Sequence, residues 1–144
     1  MSAFYTYSFE DTTVTISHPA IGSYSAYGTG IGQVTLSMSN DITMHDVAAD
    51  MAVVVSKIPK NNGTVNFEVL QSSDFNVWLK KFYNYLMNSD TSQFALATIV
   101  ITNSSTGDHY TCTGVSPQKM PDNNFQSQAQ NRTWTMMCAH IDTK

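Results

Sequence analysis

The sequence predicts a mainly β fold, with about eight to ten strands around one flanking α-helix at about residues 73–87. Runs such as QVTLSMS (33–39) and TVNFEVL (64–70) alternate apolar and polar residues, the period of a strand with one face inward. SDFNVWLKKFYNYL (73–86) breaks that period and carries one apolar stripe at helical spacing. Asp, Glu, Lys and Arg make up only 12% of the chain, while Ser, Thr and Asn are plentiful. An ordinary soluble domain has about 25%, so this weakly charged surface suits contact with other protein.

From the N-terminus, the aromatic-rich segment Phe4 to Phe9 and the run Val14 to Ile16 read as a hairpin turned by Glu10 and Asp11. His18 and Pro19 end the second strand. In IGSYSAYGTGIG (21–32), four glycines permit a tight or extended loop. They do not form a phosphate loop, because the full G-x-G-x-x-G spacing and a GK[ST] sequence are both missing.

Val34, Leu36 and Met38 then mark one face of a strand, and Gln33, Thr35, Ser37 and Ser39 the other. After Asn40-Asp41, the stretches Ile42 to Val47 and Met51 to Ile58 fit strands, and AADMAVVVSK also fits a short helix. The β-branched run Val53, Val54, Val55 favours strand. Pro59 to Gly63 predicts a reversal, with Asn-Gly suited to a type I′ turn. Val65, Phe67 and Val69 next point inward, and Thr64, Asn66 and Glu68 outward.

Ser72 or Ser73 caps the helix by accepting hydrogen bonds from free N–H groups, and Asp74 suits the positive end of its dipole. Phe75, Trp78, Leu79, Phe82 and Leu86 form the packing stripe, with Lys80, Lys81 and Asn84 away from it. FALATIVIT (94–102) and HYTCTGV (109–115) form a hairpin around NSSTGD, and Pro117 to Gln130 reads as a loop. RTWTMMCAHI (132–141) is the last strand, with Trp134, Met136 and Cys138 on one face. No repeat or linker divides residues 1–144, which fit one domain.

Neither cofactor nor catalytic chemistry is visible. His18, His45, His109 and His140 are scattered, with no metal-ligand spacing. Cys112 and Cys138 lie beside apolar neighbours and read as reduced core thiols in preference to a disulfide, or to a zinc site with His140. The net charge of −4 opposes tight binding to nucleic-acid phosphates, and the FYTYSF run has no cation to pair with stacking. No signal-peptide pattern and no long apolar span occurs, which predicts a cytoplasmic chain without a membrane segment.

Strands with so few charges leave sheet edges open to pairing, which favours a chain completed by copies of itself. Residues 22–32 and 47–63 are the arms best placed for such contacts. Lys57, Lys60 and Asn61 would lie at an inter-subunit or solvated loop tip.

Five blocks resemble the tail tube proteins of tailed bacteriophages, particularly those with contractile tails. They are YSFEDTTVTISHP (7–19), GQVTLSMSND (32–41), GTVNFEVLQSSDFNVWLKKFYNY (63–85), DHYTCTGVSPQKMPD (108–122) and NRTWTMMCAHID (131–142). The resemblance implies a β-sandwich or split barrel with a flanking helix, related to the type VI secretion tube protein. It also implies a non-enzymatic virion protein, made in host cytoplasm, whose hexameric rings stack into an inner tail tube for DNA. The implied partners are further copies, a sheath, a tape-measure protein, a baseplate, a tail terminator and passing double-stranded DNA. Roughly twenty-four strands at about 4.8 Å spacing and about 40° tilt would leave a bore near 40 Å. Thr35, Ser37, Thr64, Asn66 and Glu68 are the candidates for the lumen wall. The competing reading is a carbohydrate- or host-binding β-sandwich module, which predicts exposed aromatics in a groove.

Overall fold

Alternation of side chains governs most of the chain. The computed structural model describes residues 8–26 and 31–143. Its strands are β1 (Thr12–His18), β2 (Gly22–Ala26), β3 (Ile31–Met38), β4 (Thr43–Val47), β5 (Val53–Lys57), β6 (Gly63–Leu70), β7 (Ala97–Asn103), β8 (Asp108–Lys119) and β9 (Asn131–Thr143). Helix α1 spans Asp74–Asn88. In β1, β6 and β7 every second residue is buried, as one-sided burial requires.

Seven strands form one antiparallel sheet in the order β2-β1-β7-β8-β9-β6-β3, and β4 and β5 pair separately. Its margins, β2 and β3, are consecutive in the chain. Ala26 and Ile31 are therefore separated by no more than about 19 Å of extended chain. A flat seven-stranded sheet would hold its margins about 29 Å apart. The sheet must curl, and both residues at that junction are buried. The result is a split barrel with α1 along its concave side.

Ser73 caps α1, its hydroxyl accepting from the Asn76 N–H at 3.2 Å. Phe75, Leu79, Phe82 and Leu86 are buried, and Trp78 is half-buried and stacked on Phe82. Asn76 is buried too, because its side-chain oxygen accepts from the Trp134 indole N–H at 3.0 Å. His18 closes the other end of the helix. Its Nε2 meets the Gln93 carbonyl at 2.8 Å, Nδ1 accepts from Ala20 N–H, and the ring packs edge-on against Phe82 and Tyr85.

Several sequence expectations change. Residues 4–7 lie outside the described residues, and Phe9–Asp11 form a 3-10 turn, so β1 takes β2 and β7 as partners. Within the glycine-rich loop expected at 21–32, Gly22–Ala26 is an edge strand. Its serines face outward, where Ser25 bonds Thr15. The reversal expected at Pro59–Gly63 does not occur. β5 leads into β6 through a kink at Pro59, where the Lys60 N–H bonds the Ile58 carbonyl, and Gly63 is a buried strand residue whose added Cβ would strike the Ser37 carbonyl. Glycine serves there for close approach, not for a turn. The real reversal is at residues 48–52, where Met51 takes φ 68°. Finally, Pro117 lies inside β8, not in a loop. Pairing of β7 with β8 stops at Val115, so the proline sits where β8 has a neighbour on one side only.

Candidate functional site

Two surfaces are left unused by the core. The first is the convex face of the sheet. Thr35 pairs with Asn66, Ser37 with Thr64 and Gln33 with Glu68 across β3 and β6. On the other side of β6, Asn66 pairs with Thr135 and Glu68 with Thr133. All five sequence candidates, Thr35, Ser37, Thr64, Asn66 and Glu68, thus share one face, opposite the buried Val65, Phe67 and Val69. Local hydrogen bonds satisfy much of it. The Thr135 hydroxyl donates to Asn66 at 2.7 Å, and Asn131 donates to the Glu68 carboxylate at 3.0 Å. Glu68 is the one ionisable group in these three-strand rows, so the face is hydroxyl- and amide-rich with little charge.

The second surface is a two-stranded arm. β4 and β5 continue the β3–β6 hairpin beyond Met38 and Gly63, and the joint is tied by Ser39 N–H to the Asn62 carbonyl and by Asn40 to Asn62. Every residue from 41 to 55 is exposed. Met44 is 54% exposed, Val47 68% and Val55 64%. The arm expected at residues 47–63 overlaps this hairpin, but it leaves out most of β4, and a β-branched run does not by itself say that its residues face solvent. Lys57, Lys60 and Asn61 are exposed but stand at the base of the arm, not at a loop tip. The Asn61 carbonyl accepts from Ile141 N–H at 2.7 Å. The run Pro59 to Gly63 between and beyond these lysines has the composition of a turn, but its glycine serves close approach and its proline a kink.

Arg132 was also missed, although the alternation that puts Trp134 and Met136 inward puts Arg132 there too. It is buried at 4% exposure, and its Nε has no hydrogen-bond partner. Phe125, the one exposed aromatic among the described residues, lies with its ring 5.5 Å from the guanidinium carbon. Among the described residues no second exposed ring stands with it to form the aromatic groove of a sugar-binding module.

Among the described residues no cluster of His, Cys, Asp or Glu could hold a metal, and no helix is long and apolar enough to cross a membrane. Cys112 and Cys138 are buried free thiols. The Cys138 thiol donates to the Met136 carbonyl at 4.0 Å. Interaction with the Cys112 thiol, together with burial, pushes Cys138 above the usual thiol range, and the same interaction draws Cys112 below it.

The model of the bacteriophage PhiTE tail tube protein family matches residues 4–144. The chain belongs to that family. It is accordingly a structural tail tube protein and not an enzyme. Solved structures show the same fold at low identity. One is a sheath/tube terminator of the extracellular contractile injection system PVC in its extended state, with TM-score 0.63, 10% identity and 99% coverage of each chain. Another comes from the sheath-tube complex of that system, with TM-score 0.58, 9% identity and coverage of 97% of this chain and 92% of the other. A third, from the 6-fold symmetrised baseplate of the anti-feeding prophage, has TM-score 0.56, 11% identity and coverage of 99% and 97%. No curated protein sequence matches this tail tube protein.

Proposed function

We propose that this tail tube protein forms hexameric rings that stack into the hollow inner tube of a contractile phage tail, through which DNA leaves the particle. The observation that carries this reading is the arm. An apolar hairpin exposed on both faces has no reason to exist in an isolated subunit, since exposed β-branched strands invite pairing and aggregation. A neighbouring copy gives it cover. The free margins β2 and β3 supply the remaining contacts by strand pairing within a ring.

Six-fold symmetry is supported by the fold shared with a baseplate protein of a 6-fold symmetrised particle. A sheath outside the tube is supported by the fold shared with a sheath-tube complex. A tape-measure protein, a baseplate and a tail terminator complete the set of partners, and the assembled protein resides in the virion tail. The convex face bearing Thr35, Ser37, Thr64, Asn66 and Glu68 lines the bore. Its near-absence of cations lets phosphates slide past without being held. Lys57, Lys60 and Asn61, at the arm base, sit against the adjoining ring. Negative-stain microscopy of the purified protein at high concentration tests the reading. Hexameric rings or hollow fibres are expected, and a compact monomer at millimolar concentration overturns it.

A further inference from the structure

Arg132 is a cation placed where a cation should not rest. Burying a charge without a partner is strongly unfavourable, and buried charges are normally paired. Arg132 is 4% exposed, yet the one ion pair among the described residues joins His140 and Asp142. Residues 1–7, 27–30 and 144, outside the described residues, add no Asp or Glu side chain. Its Nε is also the one buried side-chain polar atom without a hydrogen bond among the described residues. Phe125 lies over the guanidinium from a run, residues 122–129, that is exposed throughout. The combination is a socket with a cation at its floor and an aromatic ring at its rim.

The topology fixes where this socket sits relative to the arm. The arm leaves the sheet at Met38 and Gly63, one end of the β3–β6 pair. Arg132 pairs with Val69, at the other end of β6. Six residues of strand separate the two ends, about 20 Å. A subunit with complementary features at opposite ends associates head to tail, the arrangement that generates open filaments.

The arm carries the matching chemistry. From Ile42 to Lys57 it has two carboxylates, Asp46 and Asp50, toward its outer part, and its one Lys or Arg, Lys57, stands at the base. Asp50 is engaged locally, accepting from the Ala52 N–H at 3.1 Å. Asp46 is exposed, pairs with Val54 in register, and shares that face of the hairpin with Met44 and Ser56. We infer that Asp46 on the arm of one copy binds Arg132 of the next, with Met44 and Val54 packing on Phe125.

This pairing rests on the stacked-tube reading, and the experiment separates the two. Asp46→Asn and Arg132→Met are made singly and together, and the concentration at which tubes form is read by sedimentation and negative stain. Each single variant is expected to raise that concentration about tenfold or more, since truncating one member of a buried charge pair removes that much affinity. The double variant is expected to be no worse than the weaker single one, the mark of two residues acting on each other. Asp46 is exposed, so Asp46→Asn tests the pairing even if Arg132→Met perturbs the subunit. Unchanged assembly by Asp46→Asn, or additive losses in the double variant, overturns the pairing and leaves the tube intact. Failure of the unaltered protein to stack at all overturns both.

Discussion

The rings of Tyr24 and Phe75 stack nearly parallel, 5.2 Å apart and 10° from coplanar. Phe75 also meets Phe67 at 5.6 Å. Tyr24 belongs to one margin strand of the sheet and Phe67 to β6, beside the other margin, so one helical side chain holds both sides of the split barrel. Replacing Phe75 by Ala should cost about 3–5 kcal/mol, the range for a fully buried phenylalanine. Urea unfolding below the concentration of ring assembly measures it. A cost under about 1 kcal/mol would show that the curl is held without the helix.

Tyr24 also makes stability depend on alkaline pH. Desolvation by its neighbours, and then the negative charge of Asp74, push its phenol above the ordinary value of 10.0. The unfolded chain therefore gives up this proton before the folded one does. That contribution is complete below about pH 10 and is lost as pH rises through the folded value. Tyr24→Phe should flatten the alkaline decline of the melting temperature and leave the neutral plateau nearly unmoved. An identical decline in both proteins would assign the slope to other groups.

Gly63 and Gly32 separate two reasons for a glycine in a strand. A Cβ at Gly63 would meet the Ser37 carbonyl, and Ile141 Cδ1 at 2.7 Å, whereas one at Gly32 finds nothing nearer than 3.6 Å. Gly63→Ala should destabilise the subunit by about 1–3 kcal/mol through overpacking. Gly32→Ala should stay within about 0.5 kcal/mol of the parent, as exposed substitutions do. Thermal melts of the two variants decide it, and equal effects would remove the case for close approach at the arm joint.

Where burial follows a strict period, the sequence was readable. Val65, Phe67 and Val69 and the stripe from Phe75 to Leu86 declare their faces because each packs on one core. β2 was hidden because it is an edge strand of small polar residues around one tyrosine, and its pairing with β1 is long-range information. The arm was half legible. Val53 to Val55 signalled strand correctly, but local propensity does not say that all three face solvent. Pro117 misled because a proline interrupts a strand only where a neighbour lies on its N–H side to need that donor. The five polar residues of the convex face share a side by simple alternation. Whether that side meets a bore depends on neighbours that no single chain encodes locally.

The bore assignment can be tested by giving the face what it lacks. Thr35 and Asn66 are register partners on the convex face, and both are partly exposed, so lysine at each position fits without entering the core. Thr35→Lys with Asn66→Lys in every copy would array cations along the full length of the tube. Binding to duplex phosphates scales steeply with the number of cations, and falls by orders of magnitude between about 50 and 200 mM salt. Tubes of the double variant should form as before, because neither residue belongs to the arm, and strand pairing at the β3 margin uses the backbone of Thr35 and not its side chain. Particles carrying them should release DNA more slowly at low salt and recover as salt rises, while unaltered particles show no such dependence. Normal assembly with unchanged, salt-independent release would place this face outside the bore.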